Sequence, residues 1–157
     1  MLEVPFEGGC QCGALRYRCS ALPFVSYTCH CVACQRLTSS AFATCIQVPT
    51  EALTVLQGSA SSRERTAESG NLLTTSFCSS CGSALYSANS ARPGLRSIYV
   101  GTLDRAADVE VDAHIWTKRR LPWVVVPSDH RVFPGAGDWR PDYAADPSRL
   151  RRPKAGS

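Results

Sequence analysis

The sequence predicts a mainly β fold of several small antiparallel sheets, with bound metal stapling distant parts of the chain together. Three observations carry that expectation. Apolar residues recur in short alternating or continuous runs and nowhere at sustained helical spacing. Ten prolines and eleven glycines in 157 residues supply many turns. Nine cysteines, far above ordinary usage, crowd into close groups.

Taken in order, strands are expected at residues 14–19, where Leu15, Tyr17 and Cys19 alternate with arginines, and at 24–29 and 42–48, which are nearly continuous apolar runs. Further strands are expected at 53–56, 72–77, 84–87, 97–100 and 109–115. Residues 57–62, Gln-Gly-Ser-Ala-Ser-Ser, read as a loop. Val32 to Thr38 has room for one or two helical turns, and no long amphipathic helix is expected elsewhere. Residues 1–140 read as a single domain, and from about Pro141 the composition shifts to Pro, Asp, Ala and Arg, so 141–157 reads as a loosely packed basic tail.

Charge narrows the partners. The net +4 is carried by Arg149, Arg151, Arg152 and Lys154; without them the chain has as many acidic as basic residues. A nucleic-acid face normally places clustered positive charge on the folded body, so the neutral body argues against nucleic acid as a partner. The longest apolar runs fall far short of the roughly 20 residues needed to span a bilayer, and no membrane span is expected. The first residues have neither a basic nor an apolar leader region. With an odd number of cysteines, this points to a reducing, cytoplasmic setting in which close cysteine pairs bind metal.

Two of the cysteine groups share a design. Cys10-Gln11-Cys12-Gly13 and Cys78-Ser79-Ser80-Cys81-Gly82 are each a ligand pair closed by glycine. Zinc holds thiolates at about 2.3 Å in a tetrahedron, so bound sulfurs lie about 4 Å apart. An extended Cys-x-Cys would separate them by about 6.6 Å. The backbone must curl, and glycine after the second cysteine permits the positive φ such a curl needs. Cys10, Cys12, Cys78 and Cys81 are therefore expected to form one closed, structural zinc site.

The third group differs. Cys29-His30-Cys31-Val32-Ala33-Cys34 supplies three thiolates and no closing glycine. Three protein ligands with an exchangeable fourth position is the pattern of a catalytic zinc. His30, between two ligands, is expected to point away from the metal. The competing reading is a second structural site completed by Cys19 or Cys45, although isolated cysteines are most often small buried hydrophobes. Three thiolates quench the Lewis acidity needed to make hydroxide, so the composition favours chemistry on an external thiol.

Gly8-Gly9-Cys10-Gln11-Cys12-Gly13-Ala14, Cys29-His30-Cys31-Val32-Ala33-Cys34-Gln35-Arg36 with Ser40-Ala41-Phe42, and Phe77-Cys78-Ser79-Ser80-Cys81-Gly82 occur in that order. With Gly101-Thr102-Leu103-Asp104, His114-Ile115-Trp116-Thr117 and Pro122-Trp123-Val124, they resemble the glutathione-dependent formaldehyde-activating enzyme family, which includes the centromere protein V domain. The resemblance runs from about residue 8 to residue 135. It differs from the common family pattern at Ser39, where glycine is usual, and at Thr75-Ser76, where a basic residue is usual.

The resemblance implies an Mss4-like β fold and two zinc ions per chain, the catalytic one being the more easily lost. It implies a structural site on Cys10, Cys12, Cys78 and Cys81 and a catalytic site on Cys29, Cys31 and Cys34. The implied activity is of carbon–sulfur lyase type, joining glutathione to formaldehyde as S-hydroxymethylglutathione. Arg36, His114, Trp116 and Trp123 are candidate substrate contacts; His114 and the indoles can equally be core or rim residues, and Phe42 is expected in the core. Two other functions remain open to the sequence: a zinc-stabilised binding module for a protein or nucleic acid, and a redox sensor built on an oxidisable thiolate site.

Overall fold

A computed structural model describes residues 2–137; the tail at 141–157 lies outside them. The described chain is mainly β, with eleven strands in two sheets. The strands are β1 (Phe6–Gly9), β2 (Arg16–Cys19), β3 (Val25–Cys29), β4 (Ala43–Pro49), β5 (Leu53–Gln57), β6 (Ser61–Thr66), β7 (Leu72–Phe77), β8 (Ala84–Asn89), β9 (Leu95–Tyr99), β10 (Ala113–Ile115) and β11 (Arg131–Val132). One α-helix, α1 (Val32–Thr38), stands among them, with four single turns of 3-10 helix.

The chain divides into two compact units, the first of Met1–Pro23 and Ile46–Val109, the second of Phe24–Cys45 and Glu110–Ser157. In the first unit β1, β2 and β5 form a three-stranded antiparallel sheet, and the strand run β4-β9-β8-β7-β6 lies in the other sheet. Leu15, Tyr17, Ile46, Val48, Leu85 and Ile98 are its best-buried side chains. In β2 the alternation does what the sequence suggests. Tyr17 and Cys19 point inward, while Arg18 faces out and pairs with Glu7 at 2.7 Å across the β1–β2 ladder. Arg16 is anchored to Asp104 by a forked pair, one arm at 2.8 Å.

In the second unit the strand order is β11-β10-β3-β4. Every residue of β3 and of β10 is buried. Buried Ser26 is paired internally: its backbone N–H and hydroxyl both donate to Asp112 Oδ2, at 3.1 and 2.9 Å.

The mainly β class stands, but several details differ from expectation. The strands gather into two sheets and not several small ones, and β10 runs parallel to both β3 and β11. Strand direction was not legible because β3 and β10 are far apart in sequence, and parallel neighbours need a long crossover that leaves no local turn signal. The loop expected at 57–62 is shorter, since Ser61 and Ser62 open β6. That strand, Ser-Ser-Arg-Glu-Arg-Thr, is a mostly exposed edge strand with no apolar alternation to reveal it. β1 and β11 were likewise too short and too poor in apolar pattern to be read. Residues 109–112 of the strand expected at 109–115 are not strand; only Ala113–Ile115 ladders.

Candidate metal centres

In the first unit the two glycine-closed pairs fold as matching knuckles. The Cys10 N–H donates to Leu15 O at 3.0 Å, and the Gly13 N–H returns to Cys10 O at 3.1 Å. Likewise the Cys78 N–H donates to Ser83 O at 2.9 Å, and the Gly82 N–H returns to Cys78 O at 2.8 Å. Gly13 and Gly82 have φ of 77° and 75°, the left-handed backbone that the curl requires and that glycine adopts without steric cost. The Gln11 N–H donates to Ser83 Oγ at 3.2 Å, tying one knuckle to the other.

The four sulfurs of Cys10, Cys12, Cys78 and Cys81 all lie within 4.8 Å of one another. The Cys10–Cys12 and Cys12–Cys78 sulfur separations are 3.5 and 3.8 Å. Thiolates around a tetrahedral zinc sit about 3.8 Å apart, so this donor set fits the ion. Burial pushes the Cys10 thiol up, but the Leu15 N–H at 3.2 Å and the sulfurs of Cys12 and Cys78 outweigh it and hold the thiol below its ordinary value. The Ser83 hydroxyl and N–H, with help from Cys12, bring Cys81 down to about 5. Cys12 accepts a lowering hydrogen bond from Ala14 but is pushed up to about 11, because Cys10 and Cys81 compete with it for charge. A divalent ion would relieve the competition that raises Cys12.

The second cluster is built where β3 runs into α1. Cys29 is the last residue of β3, Cys31 is the N-cap of α1, and Cys34 lies in its first turn. The Cys34 N–H donates to Cys31 Sγ at 3.4 Å, so the cap itself holds two of the sulfurs together. The three sulfurs lie within 4.8 Å of one another, and no fourth Cys, His, Asp or Glu joins them among the described residues. The other two cysteines are buried outside both clusters, Cys19 in the core of the first unit and Cys45 in the second, and burial pushes both thiols up. Cys29 is driven far above its ordinary value, first by sharing hydrogen bonds with Cys31 and Cys34 and then by burial. Three sulfurs this close together are a donor set suited to a soft divalent cation.

His30 is 0% exposed, and its ring turns to another histidine. His30 Nε2 lies 2.9 Å from His114 Nδ1, and His114 Nε2 lies 3.0 Å from His130 Nδ1. The sequence holds three histidines, and all of them stand in this row. Burial and Arg120 lower His30, while burial, the flanking histidines and Arg120 lower His114 to about 4. The edge of the His30–Phe42 pair is T-shaped at 5.4 Å, and Phe42 is half-buried. Nothing in the sequence pointed to His130 or to the row, since its members are 84 and 16 residues apart.

The remaining candidates are placed as follows. Arg36 is exposed in the last turn of α1. His114 is buried in β10, and its ring meets His30 of the cysteine loop. Trp116 is half-buried, has the left-handed φ of 56° that is rare for an aromatic residue, and carries the Lys118 ammonium 4.9 Å from its ring centroid. Trp123 is 71% exposed. Beside it an open groove of about 460 Å³ is lined by Thr117, Arg120, Pro122, Val124, Val125 and Val132, among others.

No helix of the described chain is long and apolar enough to cross a membrane. Among curated proteins none matches this sequence. A crystal structure of a Rhodobacter sphaeroides protein, a structural-genomics target, is similar in fold: the TM-score is 0.53 at 19% identity, covering 81% of this chain and 98% of that one. Residues 5–119 match the family described as glutathione-dependent formaldehyde-activating enzyme, a span that includes both cysteine clusters. With that span covered, the chain belongs to the glutathione-dependent formaldehyde-activating enzyme family.

Proposed function

We propose that this protein is a zinc-dependent enzyme of carbon–sulfur lyase type that interconverts glutathione plus formaldehyde with S-hydroxymethylglutathione. Family membership supports glutathione and formaldehyde as the substrates. The observation that carries the reading is the three-sulfur cluster of Cys29, Cys31 and Cys34, which no fourth protein ligand closes among the described residues. A zinc ion there would hold an external thiol as thiolate near neutral pH.

The chain's own contribution is positional. The β3–α1 junction fixes three sulfurs on one short stretch, so a bound thiol meets a second small reactant in a defined place and not at random. In the addition the glutathione sulfur bonds to the aldehyde carbon, the carbonyl π pair moves to oxygen, and that oxygen gains the proton the thiol has lost. We assign Cys10, Cys12, Cys78 and Cys81 to a structural zinc that closes the two knuckles. Arg36, Trp116 and Trp123 are proposed to contact the body of the thiol substrate: an exposed cation suits a carboxylate, and partly exposed indoles suit a flexible peptide chain. Nine cysteines free of disulfides suit a cytoplasmic setting.

Exchange NMR on mixtures of glutathione and formaldehyde tests the reading. The zinc-loaded protein is expected to speed adduct formation above the spontaneous rate, and Cys34→Ser to abolish that acceleration. Equal rates with and without the wild-type protein would overturn it.

A further inference from the structure

We propose that His114 is a positioning residue for the three-cysteine site, setting Cys29 and Cys31 through the ring of His30. The inference rests on the reading of Cys29, Cys31 and Cys34 as a metal site. In the Cys29-His30-Cys31 stretch the two candidate ligands flank His30, so a backbone shift at His30 moves both sulfurs. His30 is gripped at four places. Its N–H donates to Ile115 O at 3.0 Å, and its carbonyl accepts from Gln35 Nε2 at 2.7 Å. Its ring packs edge-on to Phe42, and its Nε2 meets His114 Nδ1.

Among the described residues the last contact is the ring's single hydrogen bond, because His30 Nδ1 is buried with no partner there. Losing it would leave a fully buried imidazole with neither nitrogen satisfied, a cost that favours rotating the ring and dragging the loop with it. His114 is itself well fixed. Its strand lies between β3 and β11, its carbonyl accepts from the Phe133 N–H at 2.8 Å, and its other ring nitrogen meets His130. A neutral imidazole has one N–H and one lone pair, and the row uses both.

Isosteres separate the two ends of the ring. An asparagine amide reaches about as far as Nδ1, and a glutamine amide about as far as Nε2. His114→Asn therefore keeps a partner for His30, whereas His114→Gln keeps only the contact to His130. Each variant would be loaded with Co²⁺ and titrated against a chelator while the thiolate-to-cobalt absorption is followed. Wild type is expected to bind two equivalents. In His114→Gln one equivalent should weaken about 10–100-fold, the range for loss of a partner that orients a metal-ligand set, with altered d–d bands; the other should be unchanged. His114→Asn should stay close to wild type.

Should His114→Gln fail to fold, the reciprocal pair decides: His30→Gln retains the contact and the second equivalent, and His30→Asn loses both. Equal binding by His114→Gln and wild type, or equal loss in His114→Asn and His114→Gln, would overturn the positioning role alone. A wild-type protein that takes up one equivalent would overturn the two-site reading and this inference with it.

Discussion

Ser39 closes α1 in the left-handed conformation, with φ 51° and ψ 36°, and its N–H caps the helix by donating to Gln35 O. That conformation explains why glycine is usual at this position of the family pattern: a Cβ there costs roughly 1–2 kcal/mol. Ser39→Gly is expected to raise stability by about 1 kcal/mol, less the extra freedom glycine gives the unfolded chain. Denaturant unfolding of the zinc-loaded protein measures it, and an unchanged or lower midpoint would contradict it. The histidine row makes a second prediction at this scale. An unfolded histidine titrates near 6.5, and burial holds His114 to about 4 in the fold. Above 6.5 both states are neutral and the fold keeps its full stability. As pH falls from 6.5 towards 4 the unfolded chain takes up a proton the folded chain refuses, so stability is lost across that window and levels off below it. Thermal melts at several pH values should show a smaller acid-side loss in His114→Asn than in wild type; thiol protonation, common to both, cancels in the comparison.

At the scale of elements, the most legible parts of the chain were those whose physics is local. The span Val32–Thr38 proved to be α1, with a cysteine as its N-cap, and the glycines after Cys12 and Cys81 have the positive φ a metal knuckle requires. Spacing and turn chemistry act over a few residues, so one sequence suffices to read them. The parallel pairing of β10, the polar edge strand β6 and the histidine row depend on which distant segments meet, and no local pattern encodes that. The two cysteine clusters also differ in what they hold together. Cys10 and Cys12 are joined to Cys78 and Cys81 across more than 60 residues, whereas Cys29, Cys31 and Cys34 belong to one β3–α1 junction. Cys81→Ser is therefore expected to compromise folding, with the loss of a metal-closed loop. Cys34→Ser should keep the fold and give up one metal equivalent. Circular dichroism with metal analysis of both variants tests this; the same degree of unfolding in both would contradict the division of roles.

For the whole molecule, the basic excess sits in the last nine residues, and the family match covers residues 5–119. Deleting 149–157 is expected to leave glutathione turnover unchanged; a marked fall would give the tail a role in binding the anionic substrate. On the proposed function, the cluster of Cys29, Cys31 and Cys34 takes an external thiol as its fourth ligand. The most direct test is to load the protein with Co²⁺ and titrate it with reduced glutathione, following the thiolate-to-cobalt absorption. The absorption is expected to rise and saturate at one glutathione per chain, an increase that oxidised glutathione does not reproduce and that disappears in Cys34→Ser. A wild-type spectrum that holds two cobalt ions and does not change with glutathione would contradict it.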